Sequence, residues 1–169
     1  MKKLLPRALM VLGFLFVVAQ LIRPERTNPA SDPARAVHAR LAVPAEVSAV
    51  FERACRDCHS NQTRWPWYSH VAPVSWLVVD DVNHGRRHVN LSEWASYGHT
   101  EADEILDEIC EEISDGGMPL RSYRWMHPEA RLSQADVRLL CDWSRKQRQR
   151  LAESVAQPPA KGETPPTAD

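Results

Sequence analysis

One short run, Cys55-Arg56-Asp57-Cys58-His59, constrains this chain more than any other feature. Two cysteines separated by two residues, with a histidine directly after the second, read as a covalent attachment site for a c-type haem. Each thiol can add to one vinyl group of the porphyrin, so both must sit on one short turn. The next residue then lies beneath the ring, where an imidazole nitrogen reaches the iron. Cys55 and Cys58 are therefore the predicted thioether sites of one haem c, and His59 is its predicted proximal ligand. A domain built around this motif has to wrap an apolar shell round a large flat ring.

The chain has room for one such domain, with 169 residues of which 43% are hydrophobic. A net charge of −1 gives no reason to expect nucleic acid as a partner. Four cysteines are too few for a disulfide scaffold at this length. Cys110 and Cys141 fall on the two long predicted helices, and in an oxidising compartment they could pair or stay free. Of six tryptophans, Trp65, Trp67, Trp76 and Trp94 follow soon after the motif. Flat apolar side chains suit a flat cofactor, although each alone is more at home in an ordinary core.

The N-terminus carries its own signal. Lys2, Lys3 and Arg7 precede an apolar run from Ala8 to Ile22, interrupted only by Gly13 and Gln20. This is a basic segment followed by a hydrophobic one, with no convincing small-residue cleavage site after it. Residues 1–23 are predicted to form an uncleaved signal anchor, a single transmembrane helix with its N-terminus in the cytoplasm. The rest would then lie outside the cytoplasmic membrane, in the periplasm of a Gram-negative cell. Residues 24–42, with Pro24, Pro29 and Pro33, read as a linker, and 153–169 as a Pro-rich disordered tail.

Between them, residues 43–152 are expected to form an all-α domain. Val47, Val50, Phe51 and Ala54 make one apolar stripe, so a helix from about Ala45 should end by delivering the motif. Residues 60–70 read as a loop and Pro73 to about Val82 as a helix. Asn83 to His88 then reads as a basic turn, in which Arg86 and Arg87 could pair with haem propionates, although such a pair is more often simply solvated. A helix is expected over Thr100–Ser114, capped by Thr100 and Asp103, with an acidic outer face that could steer a basic partner. A final helix should follow the Ser133/Asp136 capping pair.

Between the last two helices stands Gly116-Gly117-Met118-Pro119. The residue before a proline is kept out of helical geometry, which suits a side chain presented from a loop. Met118 is the expected sixth iron ligand, methionine with histidine being a recognised haem pairing. His127 and His70 are the main alternatives, with His84, His88 and Met126 behind them.

Taken together, Cys55-x-x-Cys58-His59-Ser60-Asn61, Trp65-Pro66-Trp67-Tyr68-Ser69, Ala72-Pro73-Val74-Ser75-Trp76, Gly85-Arg86, Asn90-x-Ser92-Glu93-Trp94, Met118-Pro119-Leu120, Tyr123 and His127-Pro128-x-Ala130 resemble the bacterial haem-binding domain family. The resemblance covers about Val43 to Lys146. It implies a small cytochrome c-like helical domain around one haem, with Cys55, Cys58 and His59 in the attachment roles and Met118 at the family's Met-Pro position. Leu91 departs from it, standing where a phenylalanine is expected.

Three functions remain to be weighed. The first is a membrane-anchored monohaem protein that carries single electrons to an unknown redox partner and is not an enzyme. The second is a haem sensor or peroxidase-like protein with an open or displaceable sixth position, His70 or His127 serving as an acid–base group. The third is a zinc site using Cys55, Cys58 and His59, for which no second ligand pair is present.

Overall fold

Helices make up all the regular structure of this computed structural model, which describes residues 4–156; no strand occurs among them. The predicted all-α class holds. The helix α1 spans Leu4–Ala19, α2 Val37–Arg40, α3 Ala45–Ala54, α4 Arg56–His59, α5 Val74–His88, α6 His99–Ser114, α7 Arg121–Met126 and α8 Gln134–Ala156. The expected tail falls outside the described residues from 157 onward, and residues 153–156 extend α8.

The core forms where α3, α6 and α8 bury their apolar stripes on one another. In α3, Val47, Val50, Phe51 and Ala54 are all buried, as the spacing predicts. Phe51 meets the edge of Trp143 from α8 with ring centroids 5.2 Å apart, and the Trp143 indole N–H donates to the Ala42 carbonyl at 2.9 Å. Leu106 and Leu140 are fully enclosed between α6 and α8. The same pair of helices carries a disulfide between Cys110 and Cys141, with Cα atoms 4.8 Å apart. Arg148 of α8 crosses to Asp103 and Asp107, so part of the acidic face of α6 is neutralised within the fold.

The helix ends follow local chemistry, with two differences from expectation. Ser133 and Asp136 form the predicted reciprocal cap of α8, with Ser133 N–H donating to Asp136 at 2.8 Å. Gly116, at φ 76°, lies just beyond the last turn of α6, in a conformation that favours glycine. By contrast, α6 starts at His99 after Gly98, so Thr100 lies inside its first turn, and Asp103 bonds Arg148 instead of capping. The supposed basic turn at 83–88 is instead the second half of α5. It stays helical because Ser75, Val79, Val82 and Gly85 form one continuous buried stripe.

Residues 24–42, expected as a spacer, lie along the domain. Arg26 donates to the Ser69 carbonyl at 3.0 Å, Asn28 to that of Thr63 at 2.9 Å, and Val37 N–H to that of Leu91 at 2.8 Å. Ahead of them, α1 exposes every side chain from Leu4 to Val18. Its 16 residues reach about 24 Å at 1.5 Å per residue, against about 30 Å for a hydrocarbon core. No helix among the described residues is long and apolar enough to cross a membrane. This differs from the transmembrane helix expected over residues 1–23. The helix stops where the Gln20 side chain turns to the backbone of Ala72, accepting from its N–H at 3.0 Å and donating to its carbonyl at 3.2 Å.

Candidate cofactor site

The α3 stripe ends at Ala54, and Cys55 is the hinge residue between α3 and the single turn of α4. That turn carries Cys58 and His59, so all three residues of the motif open on one cavity. Its walls come from α3 to α5 on one side and from α6 with residues 118–123 on the other. The cavity holds about 340 Å³, within the range of small-ligand sites at roughly 300–1,000 Å³. Phe51, Leu91, Ile105, Ile109 and Ile113 make it mostly apolar.

His59 is held from behind. Its Nδ1 lies 3.0 Å from the Gly85 carbonyl and 3.1 Å from that of Val89, so Nδ1 carries the proton and Nε2 the free lone pair. Burial lowers its pKa below the ordinary histidine value, keeping the ring neutral, which is the form that binds a metal. Cys55 and Cys58 are the free cysteines, since Cys110 and Cys141 are paired. Both thiols are pushed up to about 12, chiefly by burial. For Cys55 the neighbouring Cys58 adds to this, and for Cys58 the carboxylates of Asp81 and Asp57 do. They are therefore protonated at neutral pH.

Close contact between α4 and α5 makes this geometry possible. A Cβ on Gly85 would stand 2.6 Å from the Cys58 carbonyl oxygen, so only glycine lets the helix approach the motif this closely. Asp57, inside the motif, is buried and accepts from the Tyr123 hydroxyl at 2.9 Å and from Arg64 N–H at 3.1 Å. Tyr123 itself lines the cavity, so one phenol ties the wall that carries Met118 to the Cys58 turn.

Met118 lines the cavity from the loop after α6, as its position before Pro119 predicts. His127 and His70 do not line it. His127 is committed elsewhere: its Nδ1–H donates to Glu129 at 3.1 Å and its Nε2 accepts from the Tyr68 hydroxyl at 2.7 Å. His70 is exposed on the 3₁₀ turn Trp67–His70. The histidines that do reach the cavity are His84 and His88, stacked at 5.1 Å on α5. Their i, i+4 spacing with Gly85 between them was the available signal, hidden by reading 83–88 as a turn. Met126 lies outside the cavity as well.

Two open readings are decided against a cofactor contact. Arg86 points away from the cavity, its guanidinium donating to the carbonyls of Ser60 and Thr27 and to the side chains of Asn28 and Thr63 at 2.8–3.0 Å. Nor does Arg87 line it. None of Trp65, Trp67, Trp76 and Trp94 touches the cavity: Trp94 is core, and Trp67 and Trp76 are exposed. No group of three or more His, Cys, Asp or Glu among the described residues is placed to hold a metal ion, which leaves the zinc reading without a ligand set.

An all-helical domain whose apolar cavity gathers two free thiols, a neutral imidazole with its Nδ1 tied back and a loop methionine has the donor set of a haem protein. The haem-binding domain model matches residues 14–146, and the chain belongs to that family. The match begins inside α1 and takes in the segment laid along the domain. Comparison with curated proteins and with solved structures gives no match. A haem fits the residues present: Cys55, Cys58, His59 and Met118 would hold it, and it would supply an iron that accepts and returns one electron.

Proposed function

We propose that this protein is a membrane-tethered, monohaem c-type electron carrier working outside the cytoplasm. The observation that carries the reading is the convergence of Cys55, Cys58, His59 and Met118 on one apolar cavity while the remaining cysteines are paired. Cys55 and Cys58 would hold the haem through thioether bonds, each protonated thiol supplying both the sulfur and the hydrogen, so that no oxidant would be consumed. His59, with its Nε2 lone pair free, and Met118, with its thioether sulfur, would ligate the iron. The Cys110–Cys141 bond supports an oxidising compartment. The exposed apolar face of α1 supports a membrane tether, with Lys2, Lys3 and Arg7 favouring a cytoplasmic N-terminus. Local thinning and snorkelling of flanking residues offset a short helix.

A second reading, a haem sensor or peroxidase-like protein, draws on His84 and His88, which bring titratable imidazoles to the cavity. One set of measurements separates the two. The full chain, made together with haem-attachment machinery, should carry haem through a denaturing gel. Its ferric spectrum should show the weak far-red band of iron–methionine sulfur. Met118→Ala should lose that band, while His88→Ala and His127→Ala keep it. Rapid carbon monoxide binding by the ferrous wild type would favour the sensor or peroxidase reading. A mature chain with the mass of its bare amino acids would end both.

A further inference from the structure

One cluster of exposed apolar side chains stands beside the point where α1 ends. Outside residues 4–22, Trp125 and Met126 of α7 and Val155 of α8 are exposed elsewhere, while Trp67 at 74%, Leu77 at 65%, Val74 and Trp76 are exposed together here. Val74, Trp76 and Leu77 make up the first turn of α5, and Trp67 opens the 3₁₀ turn packed against that helix. Farther along, the exposed face of α5 changes character, to Asp80, Asn83, His84 and Arg87. An ordinary solvated helix has no reason to be apolar at one end only.

That end is the one joined to α1. Gln20 makes its paired bonds with Ala72, and the Trp76 indole N–H donates to the Ile22 carbonyl at 2.8 Å. The chain that follows cannot swing freely. Arg26, Asn28 and Ala30 are each bonded to the domain, by Ser69, Thr63 and Asn61, and Arg86 grips Thr27 and Asn28.

We infer that the domain is seated on the lipid surface rather than hung from a flexible tether, with Trp67, Val74, Trp76 and Leu77 sunk into the interfacial layer. This rests on the proposal that α1 lies in the membrane. Tryptophan favours that layer because its ring is apolar and its N–H is polar. Trp76 already has its N–H satisfied by Ile22, so its ring can enter without stranding a donor. Gly85 lies nine residues beyond Trp76, about 14 Å along α5 at 1.5 Å per residue. Seating at the first turn thus holds the cofactor cavity at a set height above the bilayer.

The test uses the full haem-loaded chain in vesicles of phosphatidylethanolamine and phosphatidylglycerol. A small fraction of the lipid carries a photoactivatable group on the acyl chain near the headgroup. After irradiation, adducts are mapped by mass spectrometry. Seating predicts adducts on both α1 and residues 67–77, and none on the acidic face of α6. In Trp67→Ser/Leu77→Glu the adducts on 67–77 should be lost while those on α1 persist. Adducts on α1 alone in the wild type would overturn the seating and leave the tether standing. Their absence from α1 as well would overturn both.

Discussion

Gly85 and Tyr123 shape the turn that carries Cys58 and His59 without belonging to it. Gly85 lets α5 reach Cys58, and in Gly85→Ala the new Cβ has a backbone oxygen 2.6 Å away that cannot rotate aside. Overpacking of this kind costs about 1–3 kcal/mol. The expected outcome is a lower denaturant midpoint and less haem retained per chain on a stained gel. Tyr123→Phe removes a donor from the buried Asp57 carboxylate, at about 1–3 kcal/mol. Burial and the Asp57 charge push the Tyr123 phenol well above its ordinary value. A raised value in the folded state stabilises fully below the unfolded value of about 10, and that stability is lost as pH climbs beyond it. Unfolding followed from pH 8 to 11 should therefore show an alkaline fall in the wild type that is shallower in Tyr123→Phe. Both residues stand in the sequence, but their partners are 26 to 66 positions away, so no local pattern assigns these roles.

The α6–α8 pair is the most extensively packed pair of helices in the domain, sharing buried Leu106 and Leu140, the Arg148 bridges and the Cys110–Cys141 bond. Closing a loop of 31 residues restricts the unfolded chain, a contribution of about 3–4 kcal/mol in the chain-entropy model. Guanidinium unfolding of a Cys110→Ala/Cys141→Ala double variant should show a loss of that size. The covalent haem signal should be kept, because Cys55 and Cys58 are untouched. Helices α3, α6 and α8 were legible because each pairs a buried stripe with a clear start or stop. The second half of α5 was not: its outer face is so rich in charge and histidine that the buried Val82 and Gly85 were outweighed.

At the scale of the whole molecule, the segment 24–42 decides how the domain and α1 sit together. Arg86 is its main clasp, donating to the backbone and side chains of four residues. Arg86→Ala should cost about 2 kcal/mol for the loss of charge-assisted bonds. It should expose residues 23–32 to limited proteolysis at a rate well above wild type, with helical content by circular dichroism unchanged. If the cleavage pattern stayed as in the wild type, Arg86 would be an ordinary surface cation. A linker was the natural reading of 24–42, because prolines and polar residues without apolar period carry no packing signal of their own.

Composition and spacing alone determined the Cys-x-x-Cys-His run, the helix that delivers it, the capping of the last helix, the Met-Pro loop and the all-helical class. These depend on residues within a turn or two of each other, where period and backbone preference act directly. Tertiary structure alone decided that Arg86 holds the chain rather than a cofactor, that the tryptophans stay out of the cavity, and that His84 and His88 line it while His127 binds Tyr68 and Glu129. Those outcomes turn on hydrogen bonds and close approaches between segments tens of residues apart. Only the packed chain brings such groups within reach, and a side chain's polarity says that it needs a partner without saying which one.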